Sequence, residues 1–125
     1  METTNDKKLT VVLGASPNPA RYSNMAVTRL TAKGHPVVAI GKRAASIGDT
    51  PVITEHPALE NVDTVTLYLN PVLQQEYYDY ILQLHPRRII FNPGTENEEL
   101  AAMATQHNIQ PVEACTLVML STGQF

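Results

Sequence analysis

The sequence predicts a single α/β domain, doubly wound about a mostly parallel sheet. Three observations lead there. Short apolar runs alternate with helical patterns along the chain. The apolar runs are near-continuous, as strands covered on both faces require, where a half-exposed strand would alternate with polar residues. The length, 125 residues, suits one domain with one core and no disulfide or metal staples. Right-handed crossovers turn such an alternation into an open sheet with helices on both sides.

The elements come in order. LTVVL (9–13) reads as a buried strand, and NMAVTRLTAKG (24–34) as a helix with Ala26, Val27 and Leu30 on one face. Gly34 followed by Pro36 stops that helix. PVVAI (36–40) is a second strand, 41–50 a loop, PVI (51–53) a short third strand, and 56–60 a weak helical turn. DTVTLYL (63–69) is a fourth strand. Asn70 then suits a helix N-cap and Pro71 the first helical position. Leu73, Tyr77, Ile81 and Leu84 form one helical stripe, placing Tyr77 in the core and leaving Tyr78 and Tyr80 for the surface or an interface. RIIF (88–91) is a fifth strand. TENE (95–98) fits a capping box with Thr95 as cap and Glu98 at the third position, and Asn108 can end the helix it opens. QPVEA (110–114) is a short sixth strand. The apolar tail 116–125 packs in a form the pattern does not assign. Residues 1–7 read as a flexible end and 8–125 as the domain.

Composition narrows the function. Apolar residues make up 43%, normal for a globular chain, and the net charge of −3 argues against a nucleic-acid footprint. One cysteine excludes an internal disulfide, and neither it nor the four histidines have metal-ligand spacing, so no metal is expected. The polar start METTNDKK lacks a signal-peptide core, and no apolar run approaches the roughly 20 residues of a membrane span. The expectation is a cytoplasmic protein with a small-molecule ligand and no membrane or nucleic-acid partner; a protein partner is left unknown, and the apolar LVML (117–120) is open to covering the chain's own core or a partner's.

In an open parallel sheet, ligands bind beyond the carboxyl ends of the strands, where the strand order reverses. Four loops should therefore carry function: GASPNPARYSN (14–24), GKR (41–43), NP (70–71) and NPGTE (92–96). Gly14 allows close backbone approach to an anion at the start of a helix, with hydroxyls from Ser16 and Ser23 and a charge from Arg21. A plain tight turn with a solvated arginine is the bland reading of the same residues. An NAD site ordinarily has an acid near the end of the second strand; here Gly41 turns the chain, and Lys42 and Arg43 would welcome a ribose phosphate, as in NADP or coenzyme A. Two solvated loop charges are the alternative. Pro93 and Gly94 make a turn before Thr95, and any ligand role for Asn92, Gly94 or Thr95 adds to that structural work. Cys115 has no base near it in sequence and reads first as a small buried apolar residue.

Taken together, VVLGASPNPARYSNMAVTRLTAKGHPVVAIGKR (11–43), DTVTLYLNP (63–71) and IIFNPGTENEELAAMATQHNIQPVEAC (89–115) resemble the stand-alone CoA-binding-domain proteins, which are similar to the CoA-binding half of the succinyl-CoA synthetase alpha subunit. The resemblance spans roughly residues 8–115 and implies a Rossmann-like domain holding coenzyme A, or an acyl-CoA, across the strand ends. It implies that Gly14, Ala15, Ser16, Arg21, Tyr22 and Ser23 line the phosphate turn. Lys42 and Arg43 would meet the adenosine phosphate, Asn70 and Pro71 would flank the ligand, and Asn92, Pro93, Gly94 and Thr95 would border the pantetheine arm. Cys115 falls where the synthetase relatives carry a cysteine after the last strand. The turn departs from the synthetase pattern in its two prolines, Pro17 and Pro19. The synthetase's second domain, with its phosphorylated histidine, and an ATP-grasp segment have no counterpart in the sequence, so the resemblance carries over the ligand and not the ligase reaction.

The expected function is non-catalytic binding of CoA, since no paired acid and base gathers in the four loops. Two other classes stay open at this point: a minimal NADP-binding oxidoreductase, and a structural or interaction subunit with a decayed nucleotide site.

Overall fold

The structure, a computed structural model, describes residues 7–125. Its frame is a seven-stranded sheet. The strands are β1 (Thr10–Leu13), β2 (Val37–Ile40), β3 (Ala45–Ile47), β4 (Thr50–Ile53), β5 (Thr64–Leu67), β6 (Arg88–Phe91) and β7 (Gln110–Glu113). They lie in the order β3-β4-β2-β1-β5-β6-β7, and every neighbouring pair is parallel except β3 with β4. The chain leaves β1 for β2 on one side and later returns to β5 on the other. The crevice between β1 and β5 is therefore the point where strand order reverses. The register aligns the strand ends: Leu13 stands opposite both Ile40 and Leu67, Ile40 opposite Ile53, and Leu67 opposite Phe91. These five residues end their strands in one row.

Helices cover both faces, as continuous apolar strands demand. All four residues of β1 and of β5 are buried. On one face Val11, Leu13, Val65 and Leu67 pack with Ile81 and Leu84 of α3 (Tyr78–Leu84) and Leu100 and Ala104 of α4 (Glu98–Gln106). On the other, Val12 and Ala39 meet Val27 and Leu30 of α1 (Tyr22–Ala32) and Leu120 of α5 (Thr116–Thr122). The alternation of residues 11, 12 and 13 between the two faces is the period-2 rule of a strand. Each wholly buried Leu, Ile or Val contributes about 1.5–3 kcal/mol, so this two-sided core is the main source of stability.

Several local expectations change. Helix α1 begins at Tyr22, two residues earlier than the apolar pattern suggests, and ends as expected, with Gly34 at φ +84° and the His35 amide bonded back to the Leu30 carbonyl at 3.0 Å. The 41–50 loop contains β3, a three-residue strand that exists through its antiparallel pairing with β4 around Gly48. Residues 56–60 carry no helix. The stripe from Leu73 to Leu84 is not one regular helix: α2 (Pro71–Gln74) passes through a 3₁₀ turn (Gln75–Tyr77) into α3. Three residues per turn shift the buried positions to Gln74, Tyr77 and Tyr80, leaving Leu73 half-buried. Tyr80 is thus a core residue, its hydroxyl donating to the Pro57 carbonyl at 2.8 Å. The cap of α4 is Asn97, whose side chain accepts from the Leu100 amide; Thr95 is buried and its hydroxyl donates to the Asn92 carbonyl instead. The tail forms α5, stopped by Gly123 at φ +75°.

Of the expected flexible end, residues 1–6 lie outside the described residues; Lys7 donates from Nζ to the Lys33 carbonyl at 2.7 Å. Among the described residues no helix is long and apolar enough to cross a membrane, and no group of three or more His, Cys, Asp or Glu could hold a metal ion.

Candidate functional site

An open cleft of about 720 Å³ lies over the row of carboxyl ends. That is within the usual range for small-molecule sites, roughly 300–1,000 Å³. Its position is set by the register, because every loop that leaves the row begins at the same height.

The loop after β1 forms one wall. Gly14 has φ +92°, and a Cβ there would meet the Tyr68 carbonyl carbon and oxygen at 2.9 Å. The amides of Gly14 and Ala15 both donate to the Ile40 carbonyl at 3.0 Å, tying this loop to the end of β2. A Cβ at Gly41 would collide with the Ala15 carbonyl oxygen and reach Val52 Cγ1 at 3.0 Å. The two glycines thus let three backbone segments converge at the crevice. Ser16 organises the next turn: its hydroxyl accepts from the Asn18 amide at 3.1 Å, and its carbonyl accepts from Asn24 Nδ2 at 3.0 Å. Pro17 and Pro19, the two prolines that depart from the synthetase pattern, sit within and beside this turn, and Pro17 faces the cleft.

Arg21 is the N-cap of α1 in extended conformation, and no side chain among the described residues caps the helix. The first-turn amides at Tyr22 and Ser23 are left for another acceptor, with the positive end of an 11-residue helix behind them. Arg21 and Tyr22 are exposed at the rim, Tyr22 to 69%, while Ser23 is buried. Lys42 and Arg43 stand exposed beyond Gly41 on the same cleft.

The far wall is built from Asn70, Pro93, Gly94 and Thr95. Asn70 caps α2, its Oδ1 accepting from the Leu73 amide at 3.0 Å. Gly94, at φ +91°, turns the chain so that the Thr95 amide reaches the Asn92 carbonyl at 2.9 Å. Thirteen of the residues singled out in sequence therefore share one cleft: Gly14, Ala15, Ser16, Arg21, Tyr22, Ser23, Gly41, Lys42, Arg43, Asn70, Pro93, Gly94 and Thr95.

Three do not line it. Pro71 is exposed just behind Asn70. Asn92 is buried beneath the wall, its Nδ2 donating to Thr66 Oγ1 and the Leu67 carbonyl and its Oδ1 accepting from the Thr116 amide. Cys115, half-buried, is the N-cap residue of α5. It lies near the Tyr68 hydroxyl, which is shut from solvent and finds no hydrogen-bond partner among the described residues. Burial pushes the Tyr68 phenol up to about 12, against an opposing pull from the nearby Thr116 and Thr66 hydroxyls.

The sequence reading also missed part of the cleft. Thr54 and His56 enter it from the loop after β4, and Leu73, Glu76 and Tyr77 from α2 and the 3₁₀ turn. The signal for the first pair was the pairing of β4 with β2, which sets Ile53 beside Ile40. Among the described residues, no hydrogen bond or ion pair joins His56 to Glu76. The His56 ring instead rests on Tyr77 and Tyr80, with centroids 4.9 and 5.0 Å away.

A family model described as a CoA binding domain matches residues 8–121. One solved structure, that of an uncharacterized protein, is 49% identical, with a TM-score of 0.93 over 97% of this chain and 100% of its own. A hypothetical protein from Pyrococcus horikoshii OT3 is 20% identical, with a TM-score of 0.84 over 94% of this chain and 84% of its own. A protein from Thermus thermophilus is 19% identical, with a TM-score of 0.84 over 95% of this chain and 91% of its own. The latter two likenesses speak for the fold alone, a Rossmann-like α/β domain. No curated protein matches the chain.

Proposed function

Because the chain belongs to the CoA-binding domain family, we propose that it binds coenzyme A or an acyl-CoA in the strand-end cleft and does not turn it over. The observation that carries this reading is the convergence at the crevice. Gly14 and Gly41 bring backbone together where any Cβ would clash, an uncapped helix start faces the same space, and two cations close one end. That donor set suits a ligand with a diphosphate in the middle and a further phosphate on its ribose.

In this reading the amides of Tyr22 and Ser23, the Ser16 hydroxyl and Arg21 hold the diphosphate. Lys42 and Arg43 hold the ribose phosphate. Asn70, Gly94 and Thr95 border the pantetheine arm, with Pro71 and Asn92 shaping the wall from behind. Bound CoA would supply a thiol or thioester at the end of that arm. Cys115 lies off the cleft lining, and we assign it no contact with the ligand. Binding without turnover rests on the character of the wall groups. Among the described residues, the imidazole in the cleft is that of His56, seated on two tyrosine rings and not paired with an acid.

Native mass spectrometry of protein purified from cells tests the ligand. Added mass equal to CoA or an acyl-CoA is the expected result; the mass of NADP in its place would favour an oxidoreductase. Incubation with acetyl-CoA should leave the thioester intact, and hydrolysis lost on Glu76→Gln substitution would overturn the non-catalytic part.

A further inference from the structure

We propose that His56 is the platform on which the base of the bound nucleotide stacks, so that its ring adds selectivity for a base-bearing ligand over its phosphopantetheine half. The inference rests on the CoA reading and deepens it. Four observations carry it.

The first is position. Ile40 and Ile53 are register partners, so the loops after them leave the sheet side by side. Lys42 and Arg43 occupy one of these loops and His56 the other, and all three line the cleft. In an adenine nucleotide the base and the ribose phosphate hang from the same five-membered ring. A ligand whose ribose phosphate meets Lys42 and Arg43 must therefore place its base within a few ångströms of them, and the adjacent loop is where it can go.

The second is the state of the ring. His56 is exposed, yet it does not wave in solvent. Tyr77 and Tyr80, each 8% exposed, lie against it at 4.9 and 5.0 Å with interplanar angles of 35° and 30°. The imidazole is thus a flat aromatic surface backed by two others, with its exposed part left to the cleft.

The third is that the loop is fixed. Tyr80 donates its hydroxyl to the Pro57 carbonyl at 2.8 Å, which holds the residue after His56 to α3. A stacking surface adds affinity in proportion to how little motion it loses on binding, and this one is held before any ligand arrives.

The fourth is that no polar contact fixes the ring: among the described residues its partners are the two tyrosine rings beneath it. Aromatic stacking is tolerant of which base is offered, because every base has a π-face. The selectivity it provides is for the presence of a base; its identity is read elsewhere.

Calorimetric titration of CoA and of 4′-phosphopantetheine into the unmodified protein, His56→Ala and His56→Phe tests this. His56→Ala should bind CoA about five- to a hundredfold more weakly, while its affinity for 4′-phosphopantetheine stays that of the unmodified protein. His56→Phe keeps a ring and should restore most of the loss. A fluorescent CoA carrying an etheno-modified adenine should be quenched on binding to the unmodified and His56→Phe proteins and not to His56→Ala. Equal affinity of all three proteins for CoA overturns the platform while leaving CoA binding in place. Failure of the unmodified protein to bind CoA overturns both. Equal weakening for both ligands in His56→Ala would mean a general loss of the cleft's shape and also overturns the assignment; circular dichroism of the same samples reports whether the fold is kept.

Discussion

Gln74, wholly buried, donates from Nε2 to the carbonyl of Thr95 at 2.8 Å, across the gap between α2 and the turn after β6. The same nitrogen donates to the Leu69 carbonyl at 2.8 Å, and Oε1 accepts from Asn97 Nδ2 at 2.9 Å. One amide thereby uses both its donors and joins the two loops that form the far wall of the cleft.

Replacing it should loosen that wall. Gln74→Leu keeps similar bulk but orphans two buried carbonyls, each at roughly 1–3 kcal/mol. The expected loss of stability is at least about 2 kcal/mol, read as a lower midpoint in urea unfolding with an unchanged slope. A variant as stable as the parent would show that water replaces the amide without cost.

The cation pair at Lys42 and Arg43 should set a preference for CoA over dephospho-CoA. Charge-assisted contacts are worth roughly 1.5–3 kcal/mol, and exposure of both side chains pulls this to the low end, about tenfold in affinity. Alanine at both positions should erase the preference with the fold intact. Added salt should narrow it in the parent, since exposed charges are screened. Equal binding of the two ligands by the parent would remove these residues from the site.

The two kinds of glycine in the cleft should behave differently. A methyl at Gly41 meets the Ala15 carbonyl and Val52, so Gly41→Ala must push the phosphate turn out of place. Overpacking of this kind costs about 1–3 kcal/mol and should weaken CoA binding as well. At Gly94 nothing lies within 4 Å of an added Cβ, and only the φ of +91° resists it. Gly94→Ala should cost about 1–2 kcal/mol of stability through strain alone. Comparable binding by both variants would argue against the crowded crevice as the anion site.

Alkaline pH should expose the Tyr68 hydroxyl. Its folded pKa stands near 12 against 10 for a free phenol, so the folded state holds the proton more tightly. Its contribution is fully present below pH 10 and is lost as pH rises from 10 towards 12, an amount on the order of 2–3 kcal/mol. Burial also raises Tyr77, Tyr78 and Tyr80, which act in the same direction. Tyr68→Phe removes a hydroxyl that has no partner and should be neutral or stabilising at pH 8. It should also flatten the alkaline decline measured by denaturant unfolding at successive pH values. An unchanged decline would show that the phenol is solvated.

Much of this site was legible in the sequence, for a specific reason. Gly14, Gly41, Asn70 and Gly94 punctuate apolar runs, and punctuation at a buried parallel strand marks the ligand edge of the sheet. The loop after β4 carried no such mark. Thr54 and His56 come after a short strand, and only the pairing of β4 with β2 brings them beside Lys42. β3 was hidden because its three residues have no strand pattern of their own and depend on the turn at Gly48. The capping box was misplaced because Thr95 and Asn97 both suit a cap, and tertiary contact decided between them: the Thr95 hydroxyl is taken by Asn92. Gln74, a polar residue beside the apolar helical stripe, looks like a surface position until the 3₁₀ turn rotates it inward.

The central claim is that CoA occupies the crevice between β1 and β5, and amide chemical-shift mapping during a CoA titration tests it most directly. Saturable shifts should appear at Ser16, Tyr22 and Ser23, at Gly41 to Arg43, at His56 and at Gly94 and Thr95. Amides of α5 and the lower ends of the strands, such as Thr10 and Arg88, should stay still. Shifts confined to another surface, or none at saturating CoA, would contradict the account.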